Sequence, residues 1–84
     1  AQVRCAEFGT AVRIQATFQF VRSARALKRP HPYVRPDIDK VARALLDALT
    51  GIAYVDDGQV VSLQLLKIYG PDARTTVLVE HPFL

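Results

Sequence analysis

Eighty-four residues with 11 Lys/Arg, 8 Asp/Glu and a formal net charge of +3 make one small domain. The lone cysteine, Cys5, excludes an intramolecular disulfide, and with two scattered histidines it gives no zinc-type spacing. No apolar run approaches the ~20 residues that cross a bilayer, and no charged-then-apolar signal pattern opens the chain, so a cytoplasmic protein with no membrane partner is expected.

A chain this short buries well under three quarters of its unfolded surface, which makes a lone protomer marginal and a homodimer the expected assembly. The chain begins without methionine, so part of the N-terminal element is expected to be missing. From Val12 to Phe20 the residues alternate, with Val12, Ile14, Ala16, Phe18 and Phe20 on one face and Arg13, Gln15, Thr17 and Gln19 on the other. This is the pattern of a half-buried strand. From Arg22 to Arg35 the periodicity vanishes and Pro30 and Pro32 interrupt the chain, so a loop or arm follows. Val21 to Val34 holds four cations and no acid, and Arg22, Arg25, Lys28, Arg29 and Arg35 are candidate DNA contacts together with Lys40 beyond them. Tyr33 inside this segment suits base stacking, or equally pins the loop to the body.

Helical spacing begins at Ile38. Ile38, Val41, Leu45, Ala48 and Leu49 form an apolar stripe opposite Asp39, Lys40, Arg43 and Asp47, and Gly51 stops a helix expected over 38–50. A short apolar piece, Ile52 to Val55, leads to a turn at Asp56-Asp57-Gly58. Gln59 to Tyr69 and Thr75 to Glu80 read as strands, and the brief turn at Gly70-Pro71-Asp72 implies that they pair as an antiparallel hairpin. The fold class is α+β: a small mixed sheet of three to four strands with one main amphipathic helix packed across it.

The charge is divided unevenly. Residues 1–36 carry seven Lys/Arg against Glu7, whereas residues 37–84 carry four against seven acids. The basic half attracts phosphates by counterion release, and the acidic half repels them unless a cation sits among its aspartates. Asp37 and Asp39 would lie about 6 to 7 Å apart on one side if that stretch were extended, and Asp56-Asp57 can return toward them along residues 52–55. Asp37, Asp39, Asp57 and Asp56 are therefore candidate ligands for Mg²⁺, with Mn²⁺ as a substitute, because all their donors are hard oxygens. Bound metal would activate water against a phosphodiester. Arg43, one turn beyond Asp39, would steady the phosphate. The structural alternative makes Asp37 an N-cap and Asp39–Arg43–Asp47 a ladder of surface ion pairs, each worth about 0.3 to 0.5 kcal/mol.

Pro36-Asp-Ile-Asp-Lys40, the helix VARALLDALTG and Ala53-Tyr-Val-Asp-Asp-Gly-Gln-Val60 together resemble the RusA-type Holliday junction resolvases. The resemblance implies a phage-derived, homodimeric, Mg²⁺-dependent endodeoxyribonuclease that resolves four-way DNA junctions by paired symmetric cuts in recombination and repair. It makes Asp37, Asp39 and Asp57 the metal-binding catalytic aspartates, with Asp56 assisting. The family pattern usually has Asn directly after the second aspartate and Lys four residues after it, where this chain has Lys40 and Arg43. Arginine clamps phosphate but cannot shuttle a proton. Phe18, Phe20 or the exposed face of the strand over 59–69 are candidates for the dimer contact. A non-catalytic nucleic-acid-binding module and a less selective Mg²⁺-dependent branched-DNA nuclease remain as alternatives.

Overall fold

The computed structural model describes residues 5–23, 29, 31–33 and 35–83. Three strands and one α-helix account for its regular structure: β1 (Val12–Val21), α1 (Ile38–Leu49), β2 (Val60–Gly70) and β3 (Arg74–Glu80). This is the small mixed α+β fold expected. The sheet order is β2-β1-β3. The alternating strand takes the centre, where it can bury one face and pair along both edges.

β1 and β2 run parallel, from Val12 opposite Val60 to Val21 opposite Gly70, with an irregularity between Val12 and Arg13. Parallel neighbours need a long crossover, and the segment between them supplies one that contains α1. β3 lies antiparallel along the other edge of β1, with Ile14 opposite Val79 and Thr17 opposite Thr76. The hairpin expected between the last two strands is therefore not formed. β1 stands between them, and the turn passes over its end. Gln19 holds that crossing: its amide nitrogen donates to the Asp72 carbonyl at 2.7 Å and to the Asp72 carboxylate at 3.1 Å. A short turn limits the distance between strand ends but does not require that the strands touch.

The helix matches its expected span to within a residue, but its packing face is rotated. Leu45 is buried and Leu46 and Leu49 pack on the core, whereas Ile38 is exposed and Ala48 faces solvent. Ala6, Val12, Ile14, Ala16, Ala53 and Tyr54 complete the buried set. Phe18, a candidate for the dimer contact, is half-buried and packs against this core.

The short apolar piece after the helix, Ile52 to Val55, forms a turn and not a fourth strand of the sheet, tied down by bridges from Tyr54 to Thr50 and to Ala6. Gly51 adopts φ +84°, the left-handed conformation that ends a helix with little strain only for glycine, and its N–H donates to the Tyr54 carbonyl at 2.7 Å. Tyr54 is fully buried, and its hydroxyl donates to the Leu46 carbonyl at 2.9 Å. Among the described residues no helix is long and apolar enough to cross a membrane.

Candidate active site

Asp37 is the N-cap of α1. Its backbone is extended, with φ −67° and ψ 146°, and its carbonyl accepts from the Lys40 and Val41 amides at 3.1 and 3.2 Å. Its carboxylate makes no capping hydrogen bond. Asp39 is already helical, one residue inside the first turn. The two side chains therefore do not project from a common extended strand, as the i, i+2 spacing had implied. Helix formation starting at Ile38 is the reason. Both carboxylates are exposed at the N-terminal end of the helix.

Residues 50–57 bring the far end of the helix back alongside it. A 3₁₀ turn, Asp57–Gln59, follows Asp56 and places Asp57 against the helix. There Nη1 of Arg43 lies 3.1 Å from Oδ2 of Asp57 and 3.7 Å from Oδ1 of Asp47. The ion pairs of Arg43 thus run to Asp47 and Asp57, and the proposed Asp39–Arg43–Asp47 ladder keeps only its second rung. All three groups are well exposed, so these contacts add at most about 1 kcal/mol each and serve mainly to set position.

Gln59 fixes this turn. It is 8% exposed, and its side-chain oxygen accepts from the Val55 and Asp56 amides, both at 2.9 Å. Its side-chain nitrogen donates to the carbonyls of Glu7 at 2.8 Å and Thr10 at 3.1 Å. One amide therefore joins the turn bearing the aspartates to the segment before β1. Asp56 departs from its neighbour: it borders a shallow cleft with Phe8, Thr10 and Gln59, and its Oδ2 lies 3.2 Å from where a Cβ on Gly58 would stand. The adjacent carboxylates consequently face different surroundings, and Asp57 is the one that meets the helix.

Among the described residues no three His, Cys, Asp or Glu side chains stand close enough to hold a metal ion by themselves. The expected convergence of three or four carboxylates is therefore incomplete within one protomer. The return segment meets the helix at Arg43, which is four residues, or about 6 Å of helix rise, beyond Asp39. The donor set still suits magnesium, which typically keeps several waters and takes one or two carboxylates together with substrate phosphates rather than a full protein cage. Asp37 and Asp39 would provide those carboxylates.

The basic residues fall into two places. Lys40 is exposed on the first helical turn beside Asp39. Arg22 lies with its guanidinium 4.6 Å from the ring centre of Tyr69, Arg29 lies 5.2 Å from that of Tyr33, and Arg35 is exposed just before Pro36. Hydrogen bonding to Tyr69 raises the pKa of Arg29. Arg25 and Lys28 lie outside the described residues.

Two contributors escaped the sequence reading. Gln59 carried a signal, as the Q of D-D-x-Q-V, but no stated role. Lys67 carried none: it sits in an apolar strand, and the fold alone brings its ammonium to the Pro36 carbonyl at 2.7 Å, immediately before Asp37.

The family profile described as Endodeoxyribonuclease RusA matches residues 2–80. Among curated proteins, an uncharacterized protein of Bacillus subtilis (strain 168), YqaN, is 38% identical over 50 residues, covering 60% of this chain. The matched region spans 35% of that relative's length. No solved structure matches the chain. With the family match covering both strand-bearing ends as well as the acidic centre, the chain belongs to the RusA endodeoxyribonuclease family.

Proposed function

We propose that this protein is a Mg²⁺-dependent endodeoxyribonuclease that acts as a homodimer on four-way DNA junctions, making paired symmetric cuts in recombination and repair. The observation that carries the reading is the 3.1 Å contact between Arg43 and Asp57, which ties the acidic turn to the helix that opens with Asp37 and Asp39. Membership of the RusA family supports the reaction class.

Asp37 and Asp39 would hold the metal, with Mn²⁺ able to substitute: the Asp37 carboxylate makes no capping hydrogen bond, and neither carboxylate forms an ion pair among the described residues. When bound, the metal lowers the pKa of water and offsets charge on the phosphodiester. Asp57 orients Arg43 and faces the same edge of the helix. The planar, permanently charged guanidinium of Arg43 is exposed and shared between two carboxylates, so a phosphate oxygen can recruit it without breaking a buried network. In this position it stabilises charge on the reacting phosphate but takes no proton. Asp56 supports the turn from its other side. A junction related by a two-fold axis presents two equivalent strands, which fits a symmetric pair of such sites.

The test uses a synthetic four-way junction, a flap and a linear duplex, each with Mg²⁺ or EDTA. Paired nicks confined to the junction, lost in EDTA and in Asp39→Asn, are expected. Arg43→Ala should slow cutting about 10²- to 10³-fold, the scale of losing one donor to a developing charge. Junction binding without cutting in any divalent metal would reduce the protein to a binding module, and cutting of all three substrates would remove the junction preference.

A further inference from the structure

At the C-terminal ends of β1 and β2, a cleft of about 180 Å³ is lined by Phe20, Ser23, Arg29, Arg35, Lys67 and Tyr69 among others. Its volume is about six times the ~30 Å³ share of one water, enough for a phosphodiester group but too little for a whole nucleotide. Three cations line it, and no carboxylate does among the described residues. Like charges gathered around one concavity repel each other, and an anion seated among them removes that cost.

The surrounding rings hold these cations in place. Lys67 Nζ lies 5.9 Å from the ring centre of Phe20, and the Arg29 guanidinium lies 5.2 Å from that of Tyr33, with Tyr69 also lining the cleft. The parallel register sets Phe18 opposite Lys67 and Phe20 opposite Tyr69, so the cleft is built on paired strands. Its link to the acidic site is direct. Lys67 donates to the Pro36 carbonyl at 2.7 Å, and the next residue in the chain is Asp37.

We propose that this cleft is a DNA-backbone subsite in which Lys67, Arg35 and Arg29 hold a phosphate adjoining the one presented to Asp37 and Asp39. The identity of the anion as DNA rests on the nuclease reading, whereas the placement of the subsite rests on the cleft. Lys67 is then a positioning residue with two attachments, gripping the strand and bracing the backbone ahead of the metal-binding aspartates. Such a contact sets register along the strand without reading its sequence.

The experiment measures binding of a labelled four-way junction and a labelled single-stranded dodecamer by fluorescence anisotropy across a salt series. Every protein carries Asp39→Asn so that cutting does not intervene. Lys67→Gln and Arg35→Gln should each weaken binding about five- to tenfold at low salt and flatten the slope of log affinity against log salt by about 1, the signature of one lost phosphate contact. Lys67→Arg should restore the slope. Arg74→Gln, whose side chain is paired with Asp72 at 2.6 Å outside the cleft, should leave it unchanged. Arg35 is exposed, so its variant keeps the test valid should Lys67→Gln fold poorly.

Unaltered slopes in both glutamine variants, or an equal loss in Arg74→Gln, would overturn the subsite. If the unsubstituted protein, with Asp39 intact, cuts no DNA with Mg²⁺ yet both variants still flatten the slope, the subsite stands and the nuclease reading falls. If it cuts junctions while the slopes do not move, the subsite alone fails.

Discussion

Gln59 shows how one side chain can set a site without touching substrate. It uses both atoms of its amide, accepting twice from the turn and donating twice to the segment before β1. Truncation to alanine strands four backbone groups, but Glu7, Val55 and Asp56 are exposed enough for water to replace part of what is lost. Gln59→Ala should therefore cost about 2 kcal/mol, below the sum for four fully buried bonds. Equilibrium urea denaturation measures this, and a cost below about 0.5 kcal/mol, the floor for a single net hydrogen bond, would show that the clasp is not structural. Gln59→Glu keeps the two acceptor contacts but replaces both donors with an acceptor, so it should restore little of the loss.

At the scale of elements, Tyr54 joins the helix to the turn after it. Burial raises the pKa of its hydroxyl above the ordinary tyrosine value, the nearby Asp57 and Asp47 charges push it further, and a hydrogen bond with Thr50 and the charge of Arg43 oppose the rise. The folded protein thus favours the neutral phenol. Tyr54 imposes no penalty at pH values below the unfolded pKa of about 10. As pH rises above that value the unfolded chain ionises first, and stability falls until the folded pKa is passed. Melting temperature should drop with pH in this alkaline window, and Tyr54→Phe should flatten the part due to this group. An unchanged alkaline profile in the phenylalanine variant would place the effect elsewhere.

The same scale separates what the chain reveals from what it conceals. β1 was legible because each alternate residue has one destination, the core or the outer face, and α1 because its apolar spacing and Gly51 mark its span and its end, although the face that packs is rotated toward Leu46. Strand partners were not legible. The run from Val60 to Gly70 looks the same whether it pairs with β3 or with β1, and the deciding contact, Gln19 to Asp72, spans 53 positions. Lys67 was hidden for a related reason, since only the parallel register and the return of residues 35–37 place it at Pro36. The acidic pattern overstated the convergence of its carboxylates, because sequence order cannot show that the returning turn meets the helix at Arg43.

For the whole molecule, area and shape argue for association. A folded monomer of 9.3 kDa should expose about 5,000 Å², whereas this chain exposes 5986 Å². Its radius of gyration is 14.5 Å, against about 12 Å for a compact domain of 84 residues. The buried core is small, with Tyr54, Ile14 and Val12 the largest fully buried side chains among the described residues, while Val61, Leu66 and Leu78 are each more than half exposed on the sheet. The surplus area is close to the ~800 Å² that each partner contributes to a standard interface. A homodimer should therefore show a melting temperature that climbs by several degrees over about a hundredfold range of protein concentration. Sedimentation equilibrium gives the mass directly, and a monomer with a concentration-independent transition would contradict this assembly.

The clasp formed by Gln59 also makes the proposed reactive centre answerable to a stretch of polypeptide distant in sequence. Glu7 and Thr10 grip the loop that carries Asp57 from some fifty positions away, so a protease nick or a bulky tag near Phe8 would loosen the turn that positions this aspartate. On the proposed function the leading segment would tether the site, and trimming it should lower junction cutting before it unfolds the sheet.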